Sequence, residues 1–177
     1  MDKKQYHLYK LIELGIGWTC YVMIDEVGQE TYHTDYCFGF NTMIHIYNSR
    51  NELIGIIRRT GHSYKVYSRQ FHLYTIYVQH HTNMVVRTIN TSGREGKDLL
   101  ISKQPELFMD KKKYLHFTEP CYPSSKNLQL FSPQNKAVVK YELSKQKDHY
   151  LIKSVESLSF FDSFVIAIVR CFEIKIR

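Results

Sequence analysis

The chain has 177 residues, the size of one domain and long enough to bury a core. Its 44% apolar and 23% charged residues match globular averages and exclude a disordered or collagen-like chain. A formal net charge of +7 favours anionic partners, phospholipid headgroups or nucleic acid.

Against 8 Gly and 4 Pro stand 14 Tyr and 10 Phe, and such rings suit pleated, half-buried surfaces. Lys3 and Lys4 open the chain, but Glu13 interrupts the apolar stretch and no small-residue cleavage site follows. No signal peptide is therefore expected. Strand patterns then recur in order. Thr19–Asp25 runs into the turn Glu26-Val27-Gly28-Gln29. Met43–Tyr47 meets Asn48-Ser49-Arg50-Asn51, after which Leu53–Ile57 resumes. Phe71–Val78 alternates rings with aliphatics, and Val85–Ile89 leads into Asn90-Thr91-Ser92-Gly93. Leu128–Phe131 meets Ser132-Pro133-Gln134-Asn135, then Ala137–Tyr141 follows. Strand, polar turn and strand is the signature of hairpins.

Three of these units align on Gly28, Asn51 and Asn135, with Ile24, Tyr47 and Phe131 four residues before. They fit a meander of strand–turn–strand units. A sheet of that many strands must cover or close its edges, which favours a barrel or sandwich over an open sheet. Between Ser92 and Pro123 the pattern lapses, and long loops or a short surface helix over Gln104–Tyr114 would fit.

The C-terminal segment differs. Ser159 followed by Asp162 is a weak capping box, and Phe164–Val169 is apolar at every position. Six such positions surround a whole helix, so a helix here must be buried on all sides. A strand is the competing reading, because Phe172–Arg177 alternates. Asp162, Arg170, Glu173 and Lys175 exclude a membrane-spanning helix across 160–176.

Chemistry-bearing patterns are sparse. Cys20, Cys37, Cys121 and Cys171 form no C-x-x-C pair and read as free thiols of a reducing cytoplasm. Adjacent His80 and His81 would point to opposite faces of a strand, while His45 and His72 read as ordinary strand histidines. Neither a nucleophile elbow nor a complete phosphate loop occurs, and Asp25-Glu26 reads as a solvated hairpin end. The expectation is a chain without catalytic residues, metal or cofactor.

Cations gather loosely at Arg58, Arg59, Lys65 and Arg69, and tightly at Lys111, Lys112 and Lys113. Segment 58–69 also interleaves Tyr64 and Tyr67, which would stack on bases if they were exposed, so single-stranded nucleic acid is an alternative ligand. The bland alternative is rings turned inward and charges that merely solvate a hairpin. A protein partner, without lipid, is a third reading.

Units such as Ile44–Gly55 and Leu128–Val138, with the Asp-led apolar tail Phe161–Val169, carry a resemblance. The chain resembles the tubby-like superfamily, and within it the LURP-one-related branch. The resemblance covers nearly the whole chain and implies one domain, 1–177: a closed antiparallel β-barrel of about twelve strands around a hydrophobic C-terminal helix at about 160–172. It further implies a non-enzymatic module, expected to be monomeric, at the inner face of the membrane. Relatives in the superfamily include phosphoinositide-binding tubby proteins and phospholipid scramblases. Their headgroup-binding residues are basic side chains on the barrel exterior, and no local motif carries them across to this chain. Anionic phospholipid headgroups would here be held by the candidate residues Arg58, Arg59, Lys65, Arg69, Lys111, Lys112 and Lys113.

Overall fold

A computed structural model describes residues 6–15, 19–35, 42–69, 71–79, 83–89, 95–104, 106–107 and 113–175. The strands in chain order are β1 (Tyr6–Leu14), β2 (Cys20–Ile24), β3 (Glu30–Thr34), β4 (Met43–Asn48) and β5 (Leu53–Thr60). Next come β6 (Ser63–Ser68), β7 (Phe71–Gln79), β8 (Asn83–Ile89), β9 (Glu95–Ser102), β10 (Glu106–Leu107) and β11 (Lys113–Tyr114). The chain finishes with β12 (Leu128–Ser132), β13 (Asn135–Lys145), β14 (Tyr150–Val155) and the helix α1 (Phe160–Lys175). Twelve strands close into one antiparallel barrel in the order β1-β14-β13-β12-β9-β8-β7-β6-β5-β4-β3-β2, leaving β10 and β11 as a separate pair.

Period-two alternation decides which side chains enter the lumen. On β4, Ile44 and Ile46 are buried while Met43, His45 and Tyr47 lie outward; on β6, Tyr64 and Val66 face inward. Inward residues from all around the barrel form one core with Phe164, Val165, Ile166, Ala167, Ile168 and Val169 of α1. Closure is what lets the sequence use such a helix: the barrel wall covers every face of an apolar cylinder that would otherwise be insoluble. Each large side chain buried in this way contributes about 1.5–3 kcal/mol.

Polar contacts hold α1 at both ends. Ser159 Oγ accepts the Asp162 N–H at 3.1 Å and donates to Asp162 Oδ2 at 2.5 Å, so the weak capping box is realised. Tyr141 Oη donates to the Ser163 carbonyl at 3.2 Å, and Ser163 Oγ bonds Ser154 Oγ at 3.0 Å. At the far end the Arg170 guanidinium, 5% exposed, donates to the carbonyls of Ser125 at 2.7 Å and Asn127 at 3.4 Å. Tyr64 Oη donates to Glu173 Oε2. The helix thus runs on through Lys175, and the strand alternative for the tail is set aside over 172–175.

One expectation is corrected. No helix forms at the described parts of 104–114; β10 and β11 pair there instead, Glu106 opposite Tyr114 and Leu107 opposite Lys113. Among the described residues no helix is long and apolar enough to cross a membrane.

Candidate functional site

The β5–β6 hairpin turns at Gly61, whose φ of 60° is a left-handed conformation that glycine adopts freely. Its register sets Arg58 opposite Lys65 and Arg59 opposite Tyr64. The next two ladders continue the first of these rows: Lys65 faces Thr75 on β7, and Thr75 faces Arg87 on β8. Four consecutive strands therefore place Arg58, Lys65, Thr75 and Arg87 in one line across the sheet, about 5 Å from strand to strand. The line ends on β9, where Asp98 stands opposite Arg87.

This row lies on the outer face, since Val66, Tyr74 and Val86 on the alternate positions belong to the core. Rings brace the cations. Arg58 Cζ lies 5.5 Å from the Tyr67 centroid, and Tyr67 stacks on His72 at 4.9 Å. Arg87 Cζ lies 5.0 Å from the Tyr77 centroid. Tyr67 and Tyr77 flank the row on opposite sides along the strands, so the two guanidinium groups lean away from each other with Lys65 between them. Thr75, only 1% exposed, bonds His72 Nε2 through Oγ1 at 3.1 Å. Among the described residues, no ion pair joins Arg58 or Lys65 to a carboxylate. Like charges directly opposite in a ladder are destabilising, so Arg58 facing Lys65 is a cost that an anion between them would reverse.

The other expected cations fall elsewhere. Arg59 shares the inner face with Tyr64, and its Nε is buried without a hydrogen bond. Tyr64 is itself 0% exposed, which removes one of the two rings expected to stack on bases. Burial first, then the neighbouring Glu173 carboxylate, pushes the Tyr64 phenol well above its ordinary pKa. Arg69 is exposed in the β6–β7 turn at a φ of 54°, about 13 Å along β6 from Lys65. Lys111 and Lys112 lie outside the described residues, as does the side chain of Lys113. Arg87 escaped the sequence reading because only the β7–β8 register, invisible in a linear string, brings it into line with Lys65.

Other reactive groups are engaged structurally. His45 Nδ1 lies 2.7 Å from Asp35 Oδ2, and His33 Nδ1 2.6 Å from Glu30 Oε1. His80 and His81 lie outside the described residues, as does Cys37. Among the described residues no three His, Cys, Asp or Glu side chains gather as a metal site. Burial raises the thiol pKa of Cys20 and of Cys121, which keeps both protonated and poorly nucleophilic.

No family model matches the chain, and no curated protein matches it in sequence. Its architecture is nonetheless shared with a solved structure, the X-ray structure of the Arabidopsis thaliana protein AT5G01750. The TM-score is 0.59 at 8% identity, over 97% of this chain and 93% of that one. At so low an identity the likeness is one of fold alone, a closed antiparallel β-barrel with a C-terminal helix.

Proposed function

We propose that this chain is a non-enzymatic binding module of the LURP-one-related, tubby-like type. Its outer face at Arg58, Lys65 and Arg87 takes the phosphate of an anionic phospholipid headgroup at the inner membrane surface. The observation that carries the reading is the register of Arg58 opposite Lys65, with Arg87 two strands further along the same outer row. Guanidinium and ammonium groups so placed donate charge-assisted hydrogen bonds to phosphate oxygens, and the arginines are already braced on Tyr67 and Tyr77. Arg69 extends the positive surface along β6, whereas Arg59 is half-buried on the inner face beside Tyr64.

Flotation with phosphatidylcholine vesicles, alone or doped with phosphatidylserine or a phosphorylated phosphatidylinositol, tests this. Each cation near an anionic leaflet contributes about 1 kcal/mol, so binding is expected only to anionic vesicles. It should weaken sharply as salt shortens the screening length towards ~8 Å. The double substitution Arg58→Glu with Lys65→Glu should abolish it. Absence of binding to every vesicle would remove lipid as the ligand. Gel shift by a random single strand would then favour nucleic acid, and a salt-insensitive pull-down partner would favour a protein.

A further inference from the structure

Alternate hairpins of a closed antiparallel barrel turn at the same end, so the β2–β3, β4–β5 and β6–β7 turns stand side by side around one mouth. Helix α1, following β14, enters through that mouth. At each of the three turns an apolar side chain stands in solvent: Val27 is 78% exposed, Leu53 50% and Phe71 75%. Phe71 pairs with Ser68 and Ser68 with Gly55, in a row that faces the lumen where Gly55 abuts Phe161. So high an exposure on a lumen-facing row sets Phe71 past the end of the packed core. Exposed Leu73 lies two residues further along β7, at the opening of a cavity that it borders with Leu99 and Leu158. Among the described residues, the opposite end exposes two large apolar side chains, Leu14 and Tyr122. Apolar residues exposed singly need no explanation, whereas a gathering of them marks a surface that something covers.

Charge says what covers it. Arg50 and Arg69 are exposed in the β4–β5 and β6–β7 turns, and among the described residues no ion pair joins either to a carboxylate. The nearby carboxylates are engaged. Asp25 Oδ1 accepts the Val27 and Gln29 N–H groups, and Glu26 Oε1 accepts the Leu8 N–H at 3.1 Å. Glu52 Oε2 accepts from Asn48 Nδ2 at 2.7 Å, and Glu30 Oε1 lies 2.6 Å from His33 Nδ1. Exposed Glu156 follows β14, on the opposite side of the ring from β6. Apolar tips between uncompensated cations match an anionic leaflet, where the tips reach the acyl boundary and the cations stay among the headgroups.

We propose that this mouth of the barrel inserts into the surface of an anionic membrane through Val27, Leu53, Phe71 and Leu73, with Arg50 and Arg69 at headgroup level. The inference rests on the lipid reading of the outer row and orients the barrel on the leaflet. From Phe71 to Thr75, in line with Lys65, is about 13 Å along β7. The headgroup layer is only about 5–8 Å deep, so the barrel leans on its β5–β8 wall, which brings Arg58, Lys65 and Arg87 down to phosphate.

Vesicles of phosphatidylcholine doped with phosphatidylserine, with bromines near the headgroup end of the acyl chains, test the insertion. The tryptophan introduced by Phe71→Trp should lose at least half of its emission on these vesicles. One introduced by Lys147→Trp, in the β13–β14 turn at the other end, should keep its emission, each read against the protein's own single tryptophan. Phe71→Ser should weaken partition onto unbrominated vesicles about tenfold, and Leu53→Ser several-fold. Neither should move the thermal midpoint, since both side chains are at least half exposed. Serine variants that bind as the unsubstituted protein does, or equal quenching at positions 71 and 147, would overturn the insertion. If Arg58→Glu with Lys65→Glu still abolished binding in that case, the headgroup reading of the outer row would stand without it. No binding of the unsubstituted protein to any vesicle would overturn both.

Discussion

Gly55 leaves room for Phe161. A Cβ built at Gly55 would lie 2.6 Å from Phe161 Cζ and 3.1 Å from the Tyr67 carbonyl oxygen, so the β5 backbone and the first turn of α1 meet without a side chain between them. The same Phe161 ring stands edge-on to Tyr32 at 6.3 Å. Gly55→Ala must therefore displace the ring, at a cost of about 1–3 kcal/mol. Chemical denaturation measures it, and the loss should shrink in the Phe161→Ala background, where the neighbour is gone.

The central helix carries much of the stability. Phe164→Ala and Ile166→Ala empty sites enclosed by the barrel and are each expected to cost about 2–5 kcal/mol. Vesicle binding by the fraction that remains folded should be unaffected, because neither residue reaches the outer row. An unchanged denaturation midpoint for Ile166→Ala would mean the helix is not what fills the lumen.

Neighbouring arginines should separate by readout. Arg58→Ala takes a cation from the outer row and is expected to weaken anionic-vesicle binding by about fivefold, near 1 kcal/mol, at little cost to the fold. Arg59→Ala works on the inner face beside Tyr64 and should lower the melting temperature while leaving vesicle binding in place. Equal effects of both on binding would contradict the assignment of faces.

High pH should unfold the protein. Burial is the first cause of raised phenol pKa values at Tyr9, Tyr32, Tyr64, Tyr74, Tyr141 and Tyr150. The folded state holds these protons above the ordinary tyrosine value near 10 while the unfolded chain releases them, so the folded state binds more protons there. Their contribution is complete below about pH 10 and is lost as pH climbs towards the raised values. Absorbance of ionised phenol, followed with circular dichroism, should show these tyrosines titrating together with unfolding.

Arg69 holds a left-handed backbone conformation, φ 54°, that costs a non-glycine residue about 1–2 kcal/mol. Arg69→Gly relieves that strain but loosens the unfolded chain, so a net gain of up to about 1 kcal/mol is expected. Thermal melts read the gain. Flotation of the same variant shows how far this turn contributes to vesicle binding.

Hairpin turns were the most legible feature of the sequence, and two of the three aligned units proved to be the same object. Asp25 Oδ1 accepts the N–H groups of Val27 and Gln29, at 3.0 and 2.8 Å, as Asn48 Oδ1 accepts those of Arg50 and Glu52, both at 3.0 Å. Gly28 and Asn51 both take positive φ, at 84° and 61°. The third unit differs: Asn135 bonds the Ala137 N–H at 3.2 Å within a bulged ladder. Similar letters there do not make a similar turn, because the β12–β13 register slips twice.

The strands that the sequence concealed are those without a clean alternation. Along β3, Glu30–Thr34 is polar and only half-buried until Thr34, so its hydrophobic signal is faint. In β6 the basic and aromatic letters looked like a binding stripe, although strand geometry sends Tyr64 and Val66 inward and Lys65 and Tyr67 outward. Periodicity could not choose helix or strand for the tail either; enclosure by the wall settles it.

What the sequence determined by itself is local: which runs favour strands, where Asp25 and Asn48 turn the chain, and that Phe164–Val169 must be buried on every side. These follow from side-chain chemistry within a few residues, where backbone propensity and hydrophobic pattern act directly. Only the tertiary structure decided that Arg87 stands in line with Arg58 and Lys65, that Arg59 does not, and that Val27, Leu53 and Phe71 gather at one mouth of the barrel. Those relationships depend on ladder register and barrel closure. A one-residue slip in register would turn every side chain of a strand to its other face.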